Sequence, residues 1–135
     1  MVVMLLEDRY LFKIALATSI LGVVGMIIFA GQLTPKALQI NQINPGMLDE
    51  EIVVVGIVDD IKESTNSHTY FLELMDNTGK INVVIFENNV NDIENNNLKI
   101  HNLIKRRIQV IGTVTEYNGR LELILKDANS LMIVA

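Results

Sequence analysis

The stretch "LELMDNTGKINVVIFE" (residues 72–87) decides the fold, because two alternating runs flank a tight polar corner. The corner Asp76-Asn77-Thr78-Gly79 contains the residue types that turns favour, so the pattern predicts a β-hairpin. Strand alternation sends one set of side chains into a core: Leu72, Leu74, Ile81, Val83 and Ile85. The opposite set faces outward: Phe71, Glu73, Met75, Lys80, Asn82, Val84 and Phe86. This outward face is more apolar than solvent requires, which makes it the candidate working surface.

Four other runs complete a β-rich pattern. The predicted strands are 52–61, 67–76, 80–87, 107–117 and 120–127. Asn118-Gly119 joins the last two and is the strongest two-residue hairpin signal. Gly56 and Gly112 interrupt the first and fourth strands where a strongly curved barrel needs a strand to bend. The alternation in the first strand adds Val53, Val55 and Ile57 to the outward set.

An asparagine-rich connector separates the third and fourth strands. It holds seven asparagines between residues 88 and 102, with apolar residues at loose helical spacing. Asparagine is a poor residue for a helix interior, so the pattern predicts a short helix with a loop. The fold class predicted is mainly β, a five-stranded Greek-key barrel with a short helix between strands 3 and 4.

A separate apolar run precedes the barrel. No charged residue occurs between Lys13 and Lys36, and as a helix these 22 positions span roughly 33 Å, against about 30 Å for a hydrocarbon core. The run therefore predicts a single-pass transmembrane helix over residues 14–35, with the lipid bilayer as its partner. Two other interpretations are a signal peptide ending near Phe29-Ala30-Gly31 and a buried helix. The first needs a shorter apolar core, and the second needs a polar face that the run lacks.

The predicted plan has three parts: an N-terminal tail and transmembrane helix (1–35), a linker (36–50) and the barrel domain (51–135). Arg9 and Lys13 precede the span, whereas Lys36 alone follows it closely. By the positive-inside rule this favours a cytoplasmic N-terminus and an extracytoplasmic barrel domain.

Charge and cysteine usage limit the function. From residue 36 onward there are nine lysines and arginines against 14 aspartates and glutamates. The domain therefore lacks the overall basic surface of a tight phosphate-backbone binder. With no cysteine, the chain has neither disulfides nor thiolate chemistry.

Three segments together resemble a known family. "VVVGIVDDIK", "YFLELMDNTGKINVVIF" and "IQVIGTVTEYNGRLELIL" resemble the OB-fold nucleic-acid-binding domains of the tRNA-anticodon-binding type, over about residues 50–133. The layout is similar to that of small archaeal membrane-anchored OB-fold proteins. The resemblance implies that Phe71 stacks on a base, that Asn82 reads base edges and that Lys62 contacts the ligand. The family's arginine before the strand-2 aspartate is replaced by Met75.

The residues themselves support two functions. As a stacking platform the outward face offers Phe71, Asn82, Met75 and Phe86, with cations for phosphates at Lys62, Lys80, Arg107 and Arg120. The predicted partner is then single-stranded nucleic acid. The alternative is a membrane-tethered protein-interaction or assembly module, which the acidity and the extracytoplasmic orientation favour.

No catalytic constellation is predicted. His68 and His101 are the only histidines and lack the spacing of a metal-binding motif, and no glycine-rich phosphate loop occurs. The sequence therefore predicts a protein that is not an enzyme and has neither cofactor nor metal. The triplet Lys105-Arg106-Arg107 is a candidate contact for phosphates or anionic lipid headgroups.

Overall fold

The computed structural model describes residues 2–32 and 35–134, with the side chains of 8–27 and 35–134. The chain divides into two compact units, Met1–Thr34 and Pro35–Ala135. In the first unit, helix α1 covers Val2–Gln32. Its segment Asp8–Ile27 has a mean hydropathy of 1.9, is not buried, and is long and apolar enough to cross a membrane. Residues 33 and 34 of the predicted span, and residue 135 of the predicted barrel domain, lie outside the described residues.

The second unit is mainly β. Its elements in chain order are β1 (Lys36–Ala37), β2 (Glu51–Glu63), β3 (Tyr70–Met75), β4 (Lys80–Ile85), α2 (Glu87–Asn95), β5 (Arg107–Tyr117), β6 (Arg120–Leu125) and β7 (Leu131–Ile133). Neighbouring strands follow the order β2-β3-β4-β6-β5, and β2 pairs with β5 to close the barrel. All these pairings are antiparallel except that of β4 with β6. The prediction of a mainly β, five-stranded barrel is confirmed.

Two glycines allow the barrel to close. A Cβ on Gly56 would lie 2.6 Å from the carbonyl oxygen of Met75, and one on Gly112 would lie 2.8 Å from that of Ile124. Both distances are shorter than any side chain tolerates, so the backbones approach only because these residues are glycines. Beyond Gly56, a register shift between Val58 and Asp60 bends β2 further.

The core is aliphatic and fills the barrel. All five predicted inward residues of the β3–β4 hairpin are buried, as alternation requires. From outside the strands, Val90 and Ile93 of α2 join the same core cluster, together with Ile100 and Leu103 of the following turn. The asparagine-rich connector thus contributes a buried apolar side to the core.

Two short strands and a docked segment differ from the sequence prediction. β1 pairs in parallel with β2, and β7 pairs with β5, so the sheet has seven strands. Residues 36–50, hereafter the strap, belong to the same compact unit as the barrel, whereas the sequence predicted a linker. Strand β3 also begins at Tyr70, because residues 64–69 form the loop after β2.

The strap is held along its whole length. Leu38 N donates to Val53 O at 2.9 Å, and Asp49 N donates to Val114 O at 2.9 Å. Between these points, Ile40 N donates to Asp76 Oδ2 at 2.9 Å. The side chain of Ile40 enters the core cluster. Buried apolar surface and backbone hydrogen bonds together explain why this segment docks.

Candidate nucleic-acid interface

The outward side chains of the barrel form cross-strand rows, because directly paired residues point to the same side of a sheet. In the first row Lys62 is opposite Phe71, Phe71 is opposite Val84, and Val84 is aligned with Ile124. Phe71 is half-buried, and Val84 between Phe71 and Ile124 is only 7% exposed. The expectation that Val84 is exposed is therefore wrong, since its large neighbours on both strands cover it. The row makes Lys62 and Phe71 direct cross-strand neighbours.

The second row contains Asn82. Its cross-strand neighbours are Glu73 on β3 and Glu122 on β6, so a carboxylate flanks the amide on each side. Glu122 is 7% exposed. Burial raises the pKa of Glu122, and the nearby Arg120 charge opposes this only partly. An amide between two acceptors suits hydrogen-bonding groups on a base edge better than a phosphate.

The third row runs through the centre of β2. Lys80 is opposite Met75, Met75 is opposite Ile57, and Ile57 is also opposite Arg107 on β5. The Lys80 ammonium lies 3.1 Å from Glu73 Oε1 and 3.3 Å from Asp59 Oδ2. These two carboxylates, Glu73 foremost, raise the pKa of Lys80. The positive charge of Lys80 is therefore already balanced by two carboxylates. Lys80 attracts a phosphate less strongly than an unpaired lysine does.

Lys105 forms a second ion pair with Asp59, through the carboxylate oxygen that Lys80 does not contact. Its ammonium lies 2.8 Å from Asp59 Oδ1, and the residue itself takes a left-handed φ of 61°. The hydrogen bonds from Lys105 and then Lys80 lower the pKa of the Asp59 carboxyl. Of the basic triplet, Lys105 is thus engaged within the fold. Within the described part of the chain, no ion pair involves Arg106 or Arg107.

A shallow cleft of about 410 Å³ opens at the start of β4 and β6. Its polar lining comes from Glu73, Lys80, Asn82 and Arg120. Its apolar lining comes from Ile40, Ile43, Ile81 and Leu121. Three of the predicted site residues therefore meet in one place, because β4 and β6 run in parallel and begin side by side.

The other predicted residues lie around this cleft. Phe71 and Met75 lie on the same face of β3 as Glu73. Each is two residues from Glu73 along the strand, a distance of ~7 Å. Lys62 lies beyond Phe71, and Arg107 lies at the far end of the third row. Phe86 is 50% exposed just before α2 and does not line the cleft.

Sequence reasoning did not identify Glu122, Leu121, Ile40 or Ile43 as part of this surface. Glu122 follows from the alternation in "RLELIL", which turns it outward beside Asn82. Ile40 and Ile43 had no comparable signal, because their segment has no strand periodicity of its own. Their apolar character is visible in the sequence, but the surface that they cover is not.

A polar cluster lies apart from the cleft, at the loop after β2. His68 Nδ1 lies 3.1 Å from Glu63 Oε1, and its Nε2 lies 3.4 Å from Glu94 Oε2 on α2. Hydrogen bonding with Glu63, and secondly with Glu94, raises the pKa of His68. The His68 ring meets the Tyr70 ring edge-on at 5.4 Å, and Tyr70 in turn meets His101 at 5.3 Å. Across the described residues, no group of three or more potential ligands is arranged to hold a metal ion.

Comparison with solved structures supports the fold. Asparaginyl-tRNA synthetase from Pyrococcus horikoshii, complexed with asparaginyl-adenylate, aligns at 16% identity and a TM-score of 0.54. The alignment covers 72% of this chain and 22% of the synthetase, so the chain spans about a fifth of that protein's length. OBody AM1L10 bound to hen egg-white lysozyme aligns at 16% identity and a TM-score of 0.56, over 75% of this chain and 95% of the OBody.

The S. pombe Stn1-Ten1 complex gives a similar result. It aligns at 19% identity and a TM-score of 0.51, covering 62% of this chain and 57% of the matched chain. A comparison with curated proteins gives no match. The family model for the tRNA anticodon-type OB-fold nucleic-acid-binding domain matches residues 52–131, which is more than half of the chain. The chain therefore belongs to the family of OB-fold nucleic-acid-binding domains.

Proposed function

We propose that this protein is a membrane-tethered module that binds single-stranded nucleic acid through the outward face of β3 and β4. The observation that carries the proposal is the grouping of an aromatic ring, an amide and cations on that face. Phe71 pairs with Lys62, and Asn82 shares the cleft with Arg120. In OB-folds the face of the second and third barrel strands, here β3 and β4, is the surface that binds oligonucleotides.

Each residue has a physical role in this proposal. Phe71 stacks on one base, and Asn82 hydrogen-bonds to the edge of another. Lys62 and Arg120 contact phosphates, since neither forms an ion pair within the described part of the chain. Two phosphate contacts predict a shallow salt dependence, with a logarithmic slope of about −1.4 for a single strand.

Titration of the full chain in detergent with labelled single-stranded DNA and RNA, at two salt concentrations, tests the proposal. Phe71→Ala is expected to weaken binding by about 1–3 kcal/mol, or roughly 5- to 150-fold in Kd. Met132→Ala is the control, because Met132 is also a large apolar side chain, is 52% exposed and lies on β7, away from the β3–β4 face. Absence of salt-dependent binding at low salt contradicts the nucleic-acid function.

The tether is α1, whose apolar length supports a single membrane crossing. We propose that the barrel lies on the extracytoplasmic side, following the cation asymmetry of Arg9 and Lys13 against Lys36. A reporter enzyme fused to the C-terminus measures this orientation. A cytoplasmic reporter signal overturns it, whereas an extracytoplasmic one restricts the ligand to nucleic acid outside the cell or to protein. We further propose that the role is binding rather than catalysis.

A second candidate function is protein interaction. The observation in its favour is a largely apolar outward surface on β2, β5 and β7. Outward residues of β2 from Val53 to Ile57 are all aliphatic, and they pair with Ile111, Gln109 and Arg107 of β5. Met132 lies beyond Gln109 and is 52% exposed. Such a patch, which meets the β3–β4 face only at Ile57 and Arg107, has the character of a protein-binding surface.

Photo-cross-linking in cells separates the two functions. A photoreactive residue replaces Val55 in one variant and Asn82 in another. Nucleic-acid adducts at position 82 support the first function. Protein adducts at position 55, without nucleic-acid adducts at 82, support the second.

A further inference from the structure

We propose that the strap is a built-in wall of the cleft, and that the cleft holds one nucleotide whose base carries an exocyclic amino group. The inference rests on the proposed function and adds to it a specificity that the family membership does not supply. It predicts that cytosine binds better than thymine. Three observations carry it: the fixed strap, the apolar lining and the carboxylate beside the amide.

The strap is a rigid part of the site. Ile40 N donates to Asp76 Oδ2 at 2.9 Å, and the next amide, Asn41 N, donates to Thr78 Oγ1 at 3.1 Å. Gln39 N also donates to the Gln42 side chain at 2.9 Å, which closes the short turn. A wall that is ordered before binding costs no ordering entropy when the ligand arrives.

The apolar lining suits a flat ring. Aliphatic side chains line the cleft from three separate parts of the chain: Ile40 and Ile43 from the strap, Ile81 from β4 and Leu121 from β6. Ile40 is itself part of the core, and Ile43 packs against that core while remaining partly exposed, so Ile43 is the side chain of the wall that a substitution can test. At about 410 Å³ the cleft is near the small end of ligand sites, which range over ~300–1,000 Å³. This size favours one nucleotide over a longer stretch of strand.

The polar lining favours a base that donates hydrogen bonds. Glu73 and Asn82 are direct cross-strand neighbours, so their side chains present a carboxylate and an amide side by side. Lys80 engages one oxygen of Glu73, at 3.1 Å, and a carboxylate retains acceptor capacity after such a pair. Cytosine presents its N4 amino donor where thymine presents the O4 acceptor. A thymine oxygen in that position faces the Glu73 carboxylate and is rejected.

Arg120 completes the site. It lines the cleft from the start of β6, where its guanidinium suits the phosphate of the bound nucleotide. The Glu73 carboxylate therefore contacts the base, while the Arg120 guanidinium contacts the phosphate. This division explains how a face rich in carboxylates accommodates an anionic ligand.

The test compares two pyrimidine oligonucleotides of equal length, dC12 and dT12, by fluorescence anisotropy with the full chain in detergent. Wild type is expected to bind dC12 about tenfold more tightly than dT12. Glu73→Gln is expected to reduce this ratio to about twofold, because the glutamine amide donates as well as accepts. Ile43→Ala is expected to weaken both oligonucleotides about fivefold, and Ile43→Leu to restore them.

Controls separate this inference from the function on which it rests. Met132→Ala is expected to match wild type with both oligonucleotides. If Phe71→Ala loses binding while Glu73→Gln keeps the wild-type ratio and Ile43→Ala keeps wild-type affinity, the strap-walled site is wrong and the nucleic-acid function stands. If neither oligonucleotide binds wild type at low salt, the function fails first. Equal binding of dC12 and dT12 by wild type also overturns the inference.

Discussion

Two of the contacts that join the barrel to neighbouring segments are centred on carboxylates, and they use those carboxylates differently. We call the first the Asp76 latch: Asp76 accepts hydrogen bonds from Ile40 N, Thr78 N, Thr78 Oγ1 and Gly79 N. We call the second the His68 clasp: Glu63, His68 and Glu94 join the loop after β2 to α2. The latch holds the strap, whereas the clasp holds the helix.

The difference lies in the donors. Every donor to Asp76 is a backbone amide or a hydroxyl, and none of these titrates near neutral pH. Both nitrogens of His68 face carboxylates, and only the doubly protonated ring donates from both. The latch is therefore insensitive to pH except in acid, while the clasp depends on pH in the neutral range. Both contacts involve carboxylates, yet the latch and the clasp respond to different ranges of pH.

Removing the latch is expected to have the largest effect. Asp76→Ala deletes the acceptor of four hydrogen bonds, including one that holds the strap. A loss of about 2–3 kcal/mol in the free energy of unfolding is expected, measured by urea denaturation. Asn77→Ala at the exposed neighbouring position is the control and is expected to change stability by less than about 0.5 kcal/mol. Equal effects of the two substitutions contradict the latch.

Acid is expected to release the latch in the wild-type protein. Partial burial alone would raise the pKa of Asp76, but the hydrogen bonds from Thr78, Ile40 and Gly79 outweigh it and lower the pKa below 3.8. A lowered folded-state pKa gives stability that is present above the unfolded value and is lost as pH falls through the folded value. The stability difference between wild type and Asp76→Asn is therefore expected to be constant at neutral pH and to shrink below about pH 4. A difference that shrinks already near neutral pH is inconsistent with this assignment.

The clasp is expected to have a smaller effect with the opposite pH dependence. The pKa of His68 is raised above 6.5, so its contribution is complete below that value and is lost as pH rises through the folded-state pKa. His68→Gln is expected to speed amide hydrogen exchange in residues 64–69 at mildly acidic pH, after correction for intrinsic rates. At alkaline pH the variant and wild type are expected to exchange alike. A variant effect that is independent of pH points to packing against Tyr70 instead.

The smallest effect expected is the difference between the two carboxylates of the clasp. Glu63 lies 3.1 Å from the ring and Glu94 lies 3.4 Å from it. Glu63→Gln is therefore expected to lower the pKa of His68 more than Glu94→Gln does. NMR titration of the His68 ring protons measures both shifts. The reverse order contradicts the distances.

Local patterns predicted the barrel because each of its strands carries its own evidence. Alternation in "LELMDNTGKINVVIFE" identifies which side chains are buried, and Gly56 and Gly112 identify where strands bend. These signals depend on residues close together in sequence. The hairpins and the core followed from them.

The remaining features depend on contacts between distant segments. One of the contacts that dock the strap is the hydrogen bond from Ile40 N to Asp76, 36 residues away, and no local sequence pattern predicts such a contact. Strand β7 has three residues, too few to show a period. Alternation predicted the face of the sheet on which Asn82 lies. That Glu73 and Glu122 are its direct neighbours could be known only from the register of three strands.

The closing ladder between β2 and β5 has a consequence for how the protein folds. It joins Ile57 to Arg107, a separation of 50 residues, while the β3–β4 hairpin joins residues as close as Met75 and Lys80. Hairpins form in about 1–10 μs, whereas contacts of large sequence separation slow folding strongly. We therefore expect the two hairpins to form early and the pairing of β2 with β5 to limit the folding rate. Because Gly56 lies in that ladder, Gly56→Ala is expected to slow folding as well as to weaken the folded barrel.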